Sequence, residues 1–362
     1  MSFAAPFRRI GGARRPVRAA HRELVALLPG EGEAVPAPRP PAIPEGCAIL
    51  PAGPFRAVVA PPPPGPGRRR SVAAIRQAVA RAALLRQCRL EALMPFGAVL
   101  PVAPGTSAAG LDLDALAVAN APEIEKALAR VAGQAQFQCM LDWDVARAPT
   151  RFAQAPELSD LGGAGQGRKS AGPIAGGSGD VDTALAALAR RLSDEAAASL
   201  DAVAGDSLRL PTEPGGLLNL VLLVEQAAQP RLDAALQAID DIWTDGFRLR
   251  LIGPAPAVSF LLGRIRLAQT GDVDQARVTL GIAADADLAD VDALARARRG
   301  ALKASRCGNE GIGFDEIDAA HSLLSAAGRL GDAPPGRDLP LLTFHRDGTA
   351  AAAAAPEFAE VA

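Results

Sequence analysis

A glycine-rich stretch near the middle of the chain constrains its architecture more than any other feature. Residues 149–180 combine three prolines with eight glycines. A backbone with this much conformational freedom loses too much entropy on ordering to pack into a core. The stretch therefore predicts a flexible Gly-rich linker with one folded unit on either side.

Residues 46–148, which precede this linker, mix helical and strand periodicity. Val72, Ile75 and Val79 recur at helical spacing, which predicts an amphipathic helix. Apolar and polar side chains alternate along residues 137–143, a pattern typical of a half-buried strand. Because both periods occur in one segment, we predict an N-terminal α+β domain over residues 46–148.

Residues 181–265, after the linker, show the order of a second α+β domain. Helical patterns cover residues 183–203 and 231–243. The apolar run at residues 217–224 suits a buried central strand, and residues 247–252 alternate as a further strand. This order of strands and helices predicts a ferredoxin-like sandwich, in which helices cover one face of a sheet.

The remaining segments are predicted from composition. Residues 1–45 are rich in proline and arginine, which disfavours a continuous helix or a central strand and predicts a disordered basic tail. Residues 266–332 have a helical pattern, and residues 333–362 predict a disordered tail. The predicted fold class is α+β, with two ferredoxin-like or related domains, a C-terminal helical segment and disordered termini.

Charge and cysteine usage exclude several classes of protein. The formal net charge is −2 and the pI is about 6.0, whereas nucleic-acid binders need a strongly basic surface. The four cysteines are far apart in sequence, which fits reduced thiols in a cytoplasm. The apolar run at residues 217–224 is far shorter than the ~20 residues of a membrane span. We therefore expect a cytoplasmic protein with no nucleic-acid or membrane partner.

Motifs for catalysis or ligand binding are incomplete. Arg168 separates Gly167 from Lys169, so the Gly-Lys-Ser sequence of a phosphate-binding loop is broken. An EF-hand loop starting at Asp285 would have Asp290 where glycine is needed. The sequence thus predicts no enzyme, no cofactor and no metal site.

A run of basic residues in the predicted helical segment, residues 266–332, leaves two interpretations open. The residues are Arg296, Arg298, Arg299, Lys303 and Arg306. They suit either a solvated helix that balances the preceding aspartates or a helix that grips an acidic partner.

Two short segments are more specific than the features above. Residues 98–106, Ala-Val-Leu-Pro-Val-Ala-Pro-Gly-Thr, resemble the Val-Leu-Pro-Val-Arg-Phe-Gly-Thr segment of the GvpF/GvpL gas vesicle proteins. Residues 251–260, Leu-Ile-Gly-Pro-Ala-Pro-Ala-Val-Ser-Phe, resemble that family's Leu-Thr-Gly-Pro-Trp-Pro-Pro-Tyr-Ser-Phe. The positions that carry the resemblance are Leu100, Pro101, Gly105, Thr106, Gly253, Pro254, Pro256, Ser259 and Phe260.

The departures from the family pattern concern side chains that could contact a partner. Ala103 and Pro104 stand where the family has Arg-Phe, and Ala255 and Val258 replace its Trp and Tyr. The retained positions have two interpretations. They either face a partner or are turn residues that backbone geometry requires.

The resemblance implies a non-catalytic accessory or minor protein of gas vesicle assembly, located at the gas vesicle or in the cytoplasm. Its implied partners are the very hydrophobic gas vesicle shell protein and other gas vesicle accessory proteins. A shell subunit with a large apolar face would aggregate unless another surface covered it. Catalysis, a cofactor or a metal ion is not implied.

The helical segment has a second resemblance. Residues 276–282, 287–306 and 314–330 resemble the three-helix order of a J-domain. The His-Pro-Asp turn that stimulates the Hsp70 ATPase in J-domains is replaced by Ser305-Arg306-Cys307. The alternative function is therefore a J-like co-chaperone adaptor without Hsp70-stimulating activity, and a plain helical hairpin remains an equal structural alternative.

Overall fold

The computed structural model describes residues 22–30, 42–63, 71–163, 178–306, 313–331 and 338–346. The strands in these residues are β1 (Glu23–Leu28), β2 (Ala48–Ala52), β3 (Phe55–Ala60), β4 (Leu100–Pro101), β5 (Gln134–Trp143), β6 (Asp206–Arg209), β7 (Gly216–Glu225), β8 (Phe247–Ala255), β9 (Leu262–Ala268) and β10 (Leu339–His345). The helices are α1 (Val72–Glu91), α2 (Leu113–Ala119), α3 (Ala121–Val131), α4 (Ala148–Arg151), α5 (Pro156–Gly163), α6 (Ser178–Asp201), α7 (Gln229–Asp240), α8 (Thr270–Leu280), α9 (Val291–Arg306) and α10 (Phe314–Leu330). Helices thus combine with antiparallel sheets, and the predicted α+β class is confirmed.

The N-terminal sheet has the strand order β2-β3-β1-β4. β1 lies inside it and pairs antiparallel with β3 and β4. All six residues of β1 are buried. Leu24 and Leu27 belong to an apolar cluster with α2 and α3, while Val25 and Leu28 belong to a second cluster that includes Leu90 of α1. The sheet is therefore covered on both faces.

β1 corrects the prediction that residues 1–45 form a disordered tail. Proline and arginine dominate the flanking sequence, and this composition hid the short apolar run at Glu23–Leu28. A run buried on both faces of a sheet needs no polar alternation. Its burial therefore outweighs the disorder that the flanks favour. The rest of the predicted tail, residues 1–21 and 31–41, lies outside the described residues.

The second sheet is ferredoxin-like. Its strand order is β6-β7-β5-β8, and all three pairings are antiparallel. Along the chain the unit runs β5, α6, β6, β7, α7, β8. Leu188 of α6 and Leu232 of α7 pack in one cluster with Phe137 of β5. Both helices therefore cover the same face, as the sequence predicts for this fold.

The boundary between the two units differs from the prediction at residue 148. β5 was assigned to the N-terminal domain, but it lies between β7 and β8, with Phe137 opposite Leu222 and Met140 opposite Arg250. An alternating pattern identifies a strand without identifying the sheet that receives it. The second unit therefore begins at β5, directly after Gly133, whose φ of +68° makes the turn from α3.

The described part of the predicted linker is also helical. Residues 149–163 contribute to α4 and α5, and Leu158 is buried in the cluster beneath α6. Glu157 pairs with Arg191 of α6, with an oxygen-to-nitrogen distance of 2.7 Å. Burial of this leucine favours order in residues 149–163, in place of the flexible linker that the sequence predicts there. Residues 164–177, which hold Lys169 and Ser170, lie outside the described residues.

The C-terminal part combines three helices with a two-stranded sheet. β10 pairs with β9 along its whole length, from Leu339 opposite Ala268 to His345 opposite Leu262. This strand corrects the prediction of a disordered tail over residues 333–362, because its apolar side chains Leu339 and Leu342 are buried. α8, α9 and α10 lie within the predicted helical segment. Their resemblance to a J-domain stays a prediction, and Cys307 and residues 347–362 lie outside the described residues.

Two polar anchors hold this C-terminal part against α2 and α3. The buried Asn120 side chain donates to Pro340 O at 2.9 Å and accepts from Leu342 N at 2.9 Å. Arg329 of α10 donates to Ala119 O at 2.7 Å and pairs with Glu123 at 3.1 Å. Both anchors reach the junction of α2 and α3, so this junction positions the added strand and helices.

Candidate interaction site

The two segments that carry the family resemblance meet in the folded chain. Leu100 of β4 and Phe260 are almost fully buried in one apolar cluster. Val102 forms a parallel bridge with Gly263, and Ala103 N donates to Gly263 O at 2.7 Å. The segments therefore form the junction between the two α+β units.

Backbone geometry occupies the polar groups of the first segment. Gly105 has φ +79° and its N–H donates to Glu23 Oε1 at 3.0 Å. The Thr106 hydroxyl donates to Ala103 O at 2.7 Å, and Thr106 O accepts from Leu24 N at 2.8 Å. Pro101 lies opposite Ala26 in the sheet. These contacts fasten the turn to β1.

A largely buried ion pair supports that turn from below. Arg86 of α1 donates to Glu23 Oε1 at 2.7 Å, and it also donates to Val25 O and to Val102 O. Desolvation lowers the pKa of Arg86, and the neighbouring Glu23 carboxylate opposes that shift. Neither residue was singled out from the sequence, because Glu23 only precedes an apolar run and Arg86 lies among other arginines.

The second segment bends the chain at the end of β8. The Gly253–Pro254 peptide bond is cis, and Gly253 has φ +136°. A Cβ at Gly253 would lie 2.7 Å from Gln136 O and 2.8 Å from Phe137 Cδ1, so only glycine fits this approach. Ser259 is fully buried and its N–H donates to Gln136 Oε1 at 2.9 Å. The segment thereby locks onto β5.

Side chains of the resemblance are therefore mostly turned inward. Phe260 is only 1% exposed, and the Arg346 guanidinium lies over its ring at 5.5 Å from the centroid. Leu100 and Ser259 have no exposed surface. Pro254 is the exception and is exposed, whereas Pro256 is buried and contributes to the wall of a cleft beside the junction.

This junction cleft has a volume of about 820 Å³, within the range of sites that enclose a ligand. Both family segments contribute to its wall through Ala98, Val99, Pro256 and Ala257. The other walls come from the β2–β3 turn, the C-terminal half of α3 and the ends of β1 and β7. The cleft therefore spans both units.

The lining of the junction cleft is apolar apart from a few groups. Gln134 Oε1 is buried and lacks a hydrogen-bond partner among the described residues. Gln226 and Glu125 add polar side chains, and Glu125 is the only ionisable residue among the described lining residues. The cleft can thus contact an apolar segment, but its described lining residues include no second carboxylate for paired acid–base chemistry.

Other chemical groups are dispersed. Within the described ranges, His, Cys, Asp and Glu side chains form no group of three that could hold a metal ion. Burial raises the pKa of the Cys139 thiol to about 12, which suppresses its reactivity. Among the described helices, none combines the length and the apolar character that crossing a membrane requires.

Comparisons with known proteins give a family. The family model described as gas vesicle synthesis protein GvpL/GvpF matches residues 37–261. The crystal structure of GvpF from Anabaena sp. PCC7120 is 11% identical, with a TM-score of 0.44 and coverage of 65% of this chain and 92% of that chain. GvpF from Microcystis aeruginosa is 14% identical, with a TM-score of 0.44 and coverage of 65% and 96%. No curated protein matches the sequence.

The family match begins after β1 and ends before β9. It contains both segments on which the sequence resemblance was based, and it covers more than half of the chain. The resemblance is therefore confirmed, and the chain belongs to the GvpL/GvpF family of gas vesicle synthesis proteins.

Proposed function

We propose that this protein is a non-catalytic accessory protein of gas vesicle assembly that binds the hydrophobic shell protein in the junction cleft. Membership of the gas vesicle synthesis family supports the process. The observation that carries the binding surface is the cleft itself, with apolar walls supplied by both α+β units. Other gas vesicle accessory proteins are further partners under this proposal.

The energetics favour an apolar polypeptide segment as the occupant. Removing apolar surface from water contributes about 25 cal/mol per Å², and Pro54, Met94 and Ala132 are lining residues that still expose such surface. A shell subunit with a large apolar face gains from the same burial, because its exposed face would otherwise drive aggregation. Shape and burial thus supply the main affinity.

The lining chemistry supports a role without catalysis. General acid–base hydrolysis needs two ionisable groups whose environments separate their pKa values. Among the described lining residues Glu125 stands alone, and it is exposed. Binding, without a chemical step, is the activity that the lining supports best.

The experiment measures how the purified full chain affects aggregation of purified shell protein, followed by light scattering. The wild-type chain is expected to suppress aggregation in a saturable manner. Ala129→Arg places a long charged side chain at the cleft wall, where Glu125 lies four residues earlier on the same helix. We expect this variant to weaken suppression about tenfold, as loss of roughly 1.4 kcal/mol would do.

Ala198→Arg is the matched control. Ala198 is also an exposed helical alanine, it has Asp194 four residues earlier, and it lies on α6 away from the junction cleft. This variant should suppress aggregation like the wild type. Equal activity of both variants would remove the cleft from the proposal, and a wild-type chain without effect would overturn shell-protein binding altogether.

A further inference from the structure

Helix α1 carries an apolar stripe that the described chain leaves exposed. Val72 is 68% exposed, Ile75 41% and Val79 60%. Residues three and four apart lie on the same side of a helix, so these side chains form one line. Further along, Arg86 and Leu90 continue that side, and both contact the body of the protein. The side of α1 that packs against the protein at its C-terminal end is therefore exposed at its N-terminal end.

The packing of α1 is unusually sparse for its length. Of its 20 residues, only Leu90 is buried. Helices in proteins owe most of their stability to packing of an apolar face. Helix α1 is anchored at its C-terminal end, and its first two turns expose their apolar side chains. These turns are therefore available to pack against a second surface.

The charges along the bare part of α1 define the chemistry of that surface. Residues 71–85 contain Arg76 and Arg81 and no carboxylate. Arg76 lies next to the stripe, because it is four residues after Val72 and three residues before Val79. The ion pairs between described residues include neither guanidinium. A partner with carboxylates beside its apolar surface would complement them.

The side chains also favour a helix as the partner. Ala74, Ala78 and Ala82 recur every four residues along α1, and small side chains let two helix axes approach closely. Helices that insert into a membrane interface instead present Trp, Phe or Leu over a wide face. The stripe here is narrow and β-branched.

We propose that the stripe Val72–Ile75–Val79 docks an amphipathic α-helix of a partner polypeptide, with carboxylates that flank its apolar face pairing with Arg76. This helix surface is distinct from the junction cleft, since no α1 residue lines the cleft. The proposal therefore goes beyond shell-protein binding in the cleft. It can fail while that function holds, because its test needs no shell protein.

The test uses two synthetic helical peptides with the same Leu/Ala stripe, one flanked by Glu and the other by Lys. Fluorescence anisotropy measures the Kd of each labelled peptide for the purified full chain. The Glu peptide should bind at least about tenfold more tightly than the Lys peptide, a difference that a favourable ion pair and its lost repulsion supply. Arg76→Glu should reverse the preference.

Ile75→Gln combined with Val79→Gln should weaken the Glu peptide about tenfold or more. Leu84→Gln is the matched control, because Leu84 is 55% exposed on the opposite side of the same helix, and it should bind like the wild type. Equal binding of both peptides, or equal loss with the control, would overturn the proposal. So would binding to phosphatidylglycerol vesicles, or self-association, that depends on Ile75 and Val79 in place of peptide binding.

Discussion

The interior strand β1 of the N-terminal sheet and the interior strand β5 of the ferredoxin-like sheet are stabilised by different interactions. In the N-terminal sheet, β1 is apolar on both sides, and each side fills its own cluster. In the ferredoxin-like sheet, β5 is apolar towards α6 and α7, while Gln136 and Gln138 occupy its other side. β1 is buried on both sides and carries one charged side chain, Glu23, at its start, whereas β5 is buried on one side and hydrogen-bonded through amides on the other.

Those amides are satisfied by the elements that surround them. Gln138 donates to Asn219 Oδ1 at 2.9 Å, and Gln136 accepts from Ser259 N at 2.9 Å. Buried polar groups need such partners to avoid a large desolvation cost. The comparison teaches that β5 fixes the second family segment through polar side chains along one of its sides, whereas β1 fixes the first segment through its backbone and its first residue, Glu23.

The largest expected effect tests the apolar side of β5. Phe137→Ala removes a side chain that is 2% exposed and should lower the free energy of unfolding by about 3–5 kcal/mol. Met140→Ala, at a half-buried position on the other side of the strand, should cost clearly less. Urea unfolding measures both, and similar losses would contradict the one-sided packing of β5.

The second test asks whether β1 is buried equally on both sides. Leu27→Ala and Leu28→Ala change neighbouring leucines that are 1% and 0% exposed and belong to different clusters. Each should lower the free energy of unfolding by roughly 2–5 kcal/mol. A strong loss for one leucine and less than about 1 kcal/mol for the other would show a strand with one buried side.

These two tests also show where sequence reasoning succeeds. The alternation along residues 137–143 identified β5, since period two is a local property. The pairing of β5 with β7 and β8 was missed, because pairing depends on residues that lie 74 or more positions away in the sequence, as Gly216 does from Asp142. β1 was missed because its six residues lie within a proline- and arginine-rich segment.

The candidate site was predictable to a similar degree. Gly253 and Gly105 were found from the family pattern, and positive φ angles explain why glycine is needed there. Two features could not be found from the sequence: the missing hydrogen-bond partner of Gln134 Oε1 and the exposure of the apolar stripe on α1. Both depend on which other parts of the folded chain lie nearby.

A third, smaller effect compares a buried ion pair with an exposed one. Glu23→Gln leaves the Arg86 guanidinium without its carboxylate and should destabilise the chain by about 2 kcal/mol. Asp318→Asn breaks the exposed pair with Arg298 and should cost about 0–1 kcal/mol. Thermal unfolding of both variants measures the difference, and equal shifts in Tm would contradict the special role of the buried pair.

The smallest effect concerns pH and the C-terminal helices. Burial lowers the pKa of His321 on α10, Arg298 lowers it further, and Asp318 opposes the shift. The unfolded chain therefore binds a proton before the folded chain does, so stability is lost as pH falls below the unfolded value of about 6.5. Unfolding curves at pH 7.5 and 5.5 should show a smaller loss for His321→Gln than for the wild type, and an unchanged loss would contradict this assignment.

Asn120 affects which polypeptides can pair with the free edge of β10. Its carboxamide imitates one residue of a neighbouring strand and takes the outward-pointing groups of β10 at Pro340 and Leu342. An open strand rim invites any extended chain to add to it. Because the Asn120 side chain occupies part of the free edge of β10, an extended polypeptide cannot pair there without displacing it. Non-specific strand addition at this edge is therefore disfavoured.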